Sequence, residues 1–349
     1  MNPPTLNSLN FEAKKVILRL DLDVELNSQE LEKIPRLQNS LPTISAIFSK
    51  AEKILLIGHA GRPEGKFVSE LSLKPLISFF EMNMGSTKFI EFNPEPQNLE
   101  SAKNEFLNSQ NKLYLLENLR FWIEEEKNSL EFAQQLADFG NVYVNDSFAS
   151  SHRSHASTNA LPKLIRNKGG LCAIGIRFEK ELANLDKAIT NPKRPVVSII
   201  SGVKKDKLKH LEGIKKISDK VLVAGRLPEY FEQQPDDKLI VGKLIPDKED
   251  LTVHSIELFE NEISNAGTII VSGPMGKFED NGHRLATERI LNSIAKNITA
   301  FKLAGGGDTQ CALDMFGLSD KFNWISSGGG AMLTYLSTGT LPGIEALVN

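Results

Sequence analysis

Only two cysteines, Cys172 and Cys311, occur in 349 residues, and neither belongs to a C-x-x-C pair. A disulfide framework and a cysteine-rich zinc module are therefore excluded, and two buried free thiols in a reducing compartment are expected. No apolar run is long enough to span a bilayer. The opening residues, Met1-Asn2-Pro3-Pro4-Thr5, lack a basic segment leading into an apolar stretch, so a cytoplasmic protein without a signal peptide is expected. An excess of charge of one sign is missing too. The formal net charge is -3 and the pI is near 6.1, which argues against nucleic acid or an anionic membrane as the main partner. Neither a G-x-x-x-x-G-K-[ST] loop nor a G-x-G-x-x-G after the first strand is present, which disfavours a P-loop enzyme and an NAD-linked dehydrogenase. Internal repeats and low-complexity tracts are absent as well.

What remains is an ordinary globular composition, 40% apolar and 24% charged, in a chain long enough for about two domains. Short β-branched and Leu-rich runs alternate with amphipathic stretches. The runs predict strands at Val16–Leu20, Lys53–Ile57, Lys112–Leu116, Val142–Asn145, Pro195–Ile200, Lys220–Val223, Leu239–Val241, Thr268–Val271 and Ala300–Leu303. Helices are predicted at Glu30–Leu37, Leu130–Phe139, Glu179–Ile189, Lys207–Ile217, Leu285–Ala295 and Ala331–Leu336. This alternation implies an α/β fold with parallel sheets covered on both faces, and ligand loops at the strands' C-terminal ends. The boundary falls near Asn167–Arg194, where a charged helix, Phe178–Ile189, is expected to join two domains.

In the N-terminal half, predicted strands run into Arg19-Leu20-Asp21-Leu22-Asp23, into Gly58-His59-Ala60-Gly61-Arg62, into Glu117-Asn118-Leu119-Arg120, and into Asn145-Asp146 followed by His152-Arg153-Ser154-His155. In a parallel sheet these segments share one edge, together with Arg36. A lone Arg after a strand is usually only solvated surface. Recurrence at successive strand ends is what points to a small polyanion, because Arg grips phosphate and carboxylate bidentately. His152 and His155 have helical spacing, but no third ligand stands at zinc spacing.

The C-terminal half holds Ser201-Gly202-Val203-Lys204-Lys205-Asp206-Lys207, a glycine turn opening a basic helix, and Val271-Ser272-Gly273-Pro274-Met275-Gly276-Lys277-Phe278-Glu279, another tight turn. Two glycine triplets follow, Gly305-Gly306-Gly307-Asp308-Thr309 and Ser326-Ser327-Gly328-Gly329-Gly330. A glycine turn that opens a helix lets N–H groups approach an anion, and the helix end adds partial positive charge. One triplet alone is often just a turn. Two, beside a lysine turn, point to a ligand with several phosphates, and Asp308 to a metal ion riding on them.

Taken together, RLDLDV, GHAGRPEG, LLENLRFWIEEEKN, YVNDSFASSHRSHAST, SGPMGKFE, AGGGDT, ISSGGGAMLTYL and LPGIEAL resemble the phosphoglycerate kinase family, in the family's order and over nearly the whole chain. The resemblance implies two Rossmann-like, doubly wound parallel-sheet domains facing a cleft and joined by an interdomain helix. It implies residues 1–177, with 338–349 returning, as the 3-phosphoglycerate domain, and 178–337 as the connecting helix and nucleotide domain. The activity implied is reversible phosphoryl transfer between 1,3-bisphosphoglycerate and ADP, with Mg2+ and ATP or ADP as co-substrate, in a monomer that closes by domain movement. The acid-substrate site implied is Asp21, Asp23, Arg36, His59, Arg62, Arg120 and Arg153. The nucleotide site implied is Lys204, Lys207, Glu279 and Gly305, Gly306, Gly307, Asp308 and Thr309, with Asp308 on the metal. Arg36, Lys207, Lys204 and the N–H groups of Gly307 and Gly330 would carry transition-state charge.

This chain departs from the family's pattern mainly on the nucleotide side. Asp23 stands where the family has Asn. The lysine turn is one residue short, so Lys207 keeps its place and Lys204 takes the first lysine's place only if the gap precedes it. Ala224-Gly225-Arg226-Leu227-Pro228 replaces G-G-G-M-A, Ser272 replaces Asn, Ser327 replaces Thr, and the segment 230–265 is short. Relaxed or altered base selectivity is expected. A non-catalytic relative that binds 3-phosphoglycerate or a partner is the alternative.

Overall fold

The computed structural model describes residues 2–28, 30–91, 93, 99–231 and 236–348. Residues 232–235 of the short segment and Asn349 of the returning one lie outside the described residues. The chain divides into two compact units, Met1–Lys180 with Leu341–Asn349, and Glu181–Thr340. The helix Ile176–Ile189 contains the division.

The first unit contains β1 (Lys15–Arg19), β2 (Lys53–Ile57), β3 (Thr87–Ile90), β4 (Leu113–Leu116), β5 (Val142–Asn145) and β6 (Leu171–Ile174). They form one sheet in the order β3-β4-β2-β1-β5-β6, parallel throughout. The second unit contains β7 (Val196–Ile200), β8 (Lys220–Val223), β9 (Leu239–Val241), β10 (Thr268–Ser272), β11 (Phe301–Gly305) and β12 (Trp324–Ser326). Their order is β12-β11-β10-β7-β8-β9, again all parallel. Strands such as Lys53–Ile57 and Val196–Ile200 are buried at every position. A parallel strand covered by helices on both faces needs a nearly continuous apolar run, which these have apart from Lys53 at the start of one and Ser198 within the other. Each unit builds its own core, around Leu18, Ile54 and Phe80 in the first and around Ile199, Phe259 and Ile290 in the second. The C-terminal helix Pro342–Val348 packs on the first unit, where the Gly343 N–H donates to the Ser151 carbonyl at 2.9 Å.

Two predicted helices differ from what forms. Over Glu30–Leu37 the chain makes two short turns, Leu31–Lys33 and Pro35–Gln38, because Pro35 has no N–H to continue a helix and biases Ile34 to extended backbone. The expected helix Lys207–Ile217 begins earlier as a tight turn, Lys205–His210, and becomes α-helical only at Leu211. Cys172 is buried, and burial pushes its thiol up to about 12, but Cys311 is exposed, contrary to the expectation of two buried thiols. Among the described residues, no helix is long and apolar enough to cross a membrane.

Candidate active site

Four adjacent strands of the first sheet, β4-β2-β1-β5, release their loops at one edge. From the segment after β1, Asp23 accepts the Gly61 N–H at 2.8 Å, tying that loop to the one after β2. Arg36, from the short helix Pro35–Gln38, donates through Nη1 to the Asp23 carbonyl and stands 3.4 Å from Asp21 through Nε. Arg120, after β4, donates to the Gly61 carbonyl at 2.6 Å. Burial, then the neighbouring Arg153, lowers its guanidinium to about 10, although Glu126 at 3.4 Å favours the charge. Arg153 is half-buried beside His152, and Arg62 is exposed at the Gly61 turn. The expected acid-substrate residues are thus brought to one edge.

His59 and His155 there are held neutral. His59 is buried, and its Nδ1 accepts from Arg19 Nη2 at 2.8 Å, which leaves Nε2 to carry the ring proton. Burial, and then Arg19, hold it well below the usual imidazole range. His155 is pulled down to about 3, first by burial and then by Arg120 and Arg19. The site's charge comes from its arginines.

Beneath that edge lies a polar layer that sequence reasoning missed. Arg19 is fully buried and also donates to Ser157 Oγ at 3.0 Å. Ser157 sits in a wide helical turn, Ala156–Ala160, and donates both its N–H and its hydroxyl to fully buried Glu125, at 2.9 and 2.6 Å. Burial raises the Glu125 carboxyl, and Arg19 opposes that rise. Tyr143 donates to the Ser157 carbonyl at 2.7 Å. The available signal was an arginine closing the apolar run that starts at Val16.

In the second unit the corresponding edge carries the glycine turns. β11 ends at Gly305 and the helix Gly307–Met315 begins; β12 ends at Ser326 and the helix Gly329–Thr338 begins. The two strands pair with Gly305 opposite Ser326, so both helix N-termini emerge side by side. Gly306 adopts φ +108°, which side chains other than glycine resist, and a Cβ on Gly329 would lie 2.8 Å from Gly306 Cα. The orphan N–H groups of two helices, those of Gly307 and Gly330 among them, are thus concentrated in one place. Thr309 locks the arrangement, accepting the Gly273 N–H at 2.8 Å and donating to the Gly305 carbonyl at 3.0 Å. Its hydroxyl is therefore committed to the scaffold.

Lys207 donates to the Ser201 carbonyl at 2.6 Å and lies 3.4 Å from that of Ser272. Burial lowers its ammonium to about 8, while Asp308 and Asp206 act to hold the proton. Lys204 is exposed on the same turn. Asp308 and Glu279 line a common cavity of about 440 Å³. Glu181 is a further residue that sequence reasoning missed. It is fully buried and accepts the N–H and hydroxyl of Ser327 at 2.8 Å each and Trp324 Nε1 at 2.7 Å, which fixes the approach to the second triplet.

Two doubly wound α/β units, one with arginines at its strand ends and the other with paired glycine-headed helices, define a protein that handles phosphorylated small molecules. The chain belongs to the phosphoglycerate kinase family, whose family model matches residues 6–252 and 232–339. The two matched pieces overlap inside the short segment 230–265. The chain is similar to the phosphoglycerate kinase of Acidobacterium capsulatum, 32% identical over 405 aligned positions covering 99% of each chain. It is similar to that of Chloroherpeton thalassium as well, 33% identical over 402 positions covering all of both. Among solved structures it is similar to phosphoglycerate kinase from Coxiella burnetii, with a TM-score of 0.76 and 26% identity, covering 99% of this chain and 98% of that one.

Proposed function

We propose that the protein is an active phosphoglycerate kinase, transferring a phosphoryl group reversibly between 1,3-bisphosphoglycerate and ADP to give 3-phosphoglycerate and ATP. One observation carries the reading: two glycine turns in direct contact head two helices, at the sheet edge that also holds Lys207. Toward the acyl phosphate, the carboxylate of 3-phosphoglycerate attacks the γ-phosphorus of ATP. The bond from that phosphorus to the bridging oxygen breaks, and its electron pair leaves on ADP. The attacking group is already an anion, so no proton has to be removed. Charge in the transition state spreads over the equatorial oxygens, and catalysis needs positioned positive charge and oriented N–H groups.

We assign that charge to Arg36, Lys207 and Lys204, with the N–H groups of Gly307 and Gly330. Asp21, Asp23, Arg62, Arg120 and Arg153 would bind and orient 3-phosphoglycerate with Arg36, and His59 would donate from Nε2. Glu279 and the Gly305–Thr309 turn would hold the nucleotide with the lysines. Asp308 is exposed at a helix head, and no group of three or more acidic, His or Cys side chains that could hold a metal gathers among the described residues. That donor set suits magnesium, which takes one or two carboxylates and fills its shell with phosphate oxygens and water. Bound there, magnesium would neutralise phosphate charge. The setting we infer is a cytoplasmic monomer whose partners are these small molecules.

The test is a coupled assay with 3-phosphoglycerate, ATP and magnesium, using wild type, Arg36→Ala and Lys207→Ala. Turnover in the wild type with large losses in both variants is expected. A wild type no faster than background overturns the reading.

A further inference from the structure

The cavity of the second unit extends well beyond its phosphate end. It is lined by the loops after β11, β10, β7 and β8 and by the loop after β9, which supplies Glu249. Three inter-strand steps separate the loop of Asp308 from that of Arg226, about 14 Å at ordinary strand spacing. A nucleoside diphosphate lying along the sheet edge, phosphates at Asp308, would bring its base to Arg226 and Glu249. Val203, Pro274 and Phe278 supply apolar surface on the way.

The far end is polar in a specific way. Arg226 is held from one side, its Nε donating to Glu229 at 2.6 Å, while Glu229 also accepts from Lys248 at 3.1 Å. Arg226 Nη1 stands 3.8 Å from Glu249 Oε1, beyond hydrogen-bond distance. A fork of donors and a carboxylate acceptor therefore line the same end of one cavity as an ion pair with no direct hydrogen bond between them. Guanine presents acceptors at O6 and N7, the pair that Arg reads bidentately, and donors at N1 and N2 that a carboxylate can accept. Adenine turns an amino group toward the same arginine, donor against donor. A site built to hydrogen-bond one base edge discriminates strongly against a base lacking it, because its polar groups are then left unpaired.

Resting on the kinase reading above, we propose that Arg226 and Glu249 make this a guanine-preferring nucleotide site, with GDP and GTP as the favoured co-substrates. Turnover and titration calorimetry with the magnesium complexes of ADP, GDP and IDP test it. The wild type should show a higher kcat/KM and tighter binding for GDP than for ADP. Arg226→Met should lower the GDP-to-ADP ratio by at least about tenfold, the size of one bidentate base contact. Glu249→Leu, which removes the acceptor, should erase the advantage of GDP over IDP, which lacks the N2 amino group. A wild type that prefers ADP, or an Arg226→Met variant with an unchanged ratio, overturns the proposal. Absence of turnover with every nucleotide would instead sink the kinase reading, and calorimetry would still decide the base preference.

Discussion

Replacing Lys207 by Met should make the protein more stable and far less active. The Lys207 ammonium is lowered from 10.5 to about 8 by burial. At about 1.4 kcal/mol per pH unit, that is a cost of roughly 3 kcal/mol, an upper figure because the side chain keeps some contact with water. The ammonium recovers part of it by donating toward the carbonyls of Ser201 and Ser272. At about 1 kcal/mol for each such bond, Met should gain on the order of 1–2 kcal/mol at pH 7. The pH dependence has a definite sign. Both folded and unfolded chains hold this proton below pH 8, so the burial cost is fully present there. Between about 8 and 10.5 the unfolded chain binds the proton more tightly, so wild-type stability rises with pH across that window and closes the gap to the variant. Activity runs the other way. Loss of one charge aimed at the transferring group should cost about 10²–10³ in kcat, and wild-type kcat/KM should fall as pH rises through 8. Urea unfolding at pH 7 and 9.5, beside the coupled assay, reads both. A Lys207→Met protein that is less stable than wild type at pH 7, or retains activity within a few-fold, refutes the reasoning.

Gly329→Ala should separate the two glycine turns, since the added methyl would meet backbone at 2.8 Å, and kcat should drop about 10²-fold with the fold retained by circular dichroism. Asp23→Asn should lower the KM for 3-phosphoglycerate about fivefold, one like charge at close range being worth about 1 kcal/mol in water, while the Asn carbonyl keeps the Gly61 bond; an unchanged or higher KM would count against placing Asp23 in the substrate site. Arg19→Met should leave buried Glu125 without its neighbouring cation and cost about 3–5 kcal/mol in urea unfolding, and Glu125→Gln added to it should restore part of the loss.

Much of this was legible in the chain. Central strands such as Lys53–Ile57 and Lys220–Val223 announce themselves because burial on both faces demands a nearly unbroken apolar run. The three strands not anticipated, Thr87–Ile90, Leu171–Ile174 and Trp324–Ser326, are all sheet edges; two of them mix polar and apolar residues, and Leu171–Ile174 is a short run of Leu, Cys, Ala and Ile with no β-branched residue before its end. The loops after the strands were readable for a topological reason, since parallel strands release their ends on one side. Arg19, Glu125 and Glu181 were not, because their partners lie far along the chain. Ser157 is 138 residues from Arg19, and Ser327 is 146 from Glu181. The neutral state of His59 and His155 was not legible for a related reason. A sequence shows that a histidine is near arginines, but not that burial and those arginines together expel its proton.

The neutral histidines bear on how the enzyme meets acid stress. With His59 and His155 held neutral, the positive charge at the arginine-lined edge comes from guanidinium groups that do not titrate under physiological conditions. A drop of one or two pH units in the surrounding medium would leave the positive charge of this edge nearly constant, so a loss of attraction would come from the ligand's own phosphate, whose second proton binds at about pH 6. The arginine-lined edge behaves as a fixed charge reservoir, not a proton-gated one.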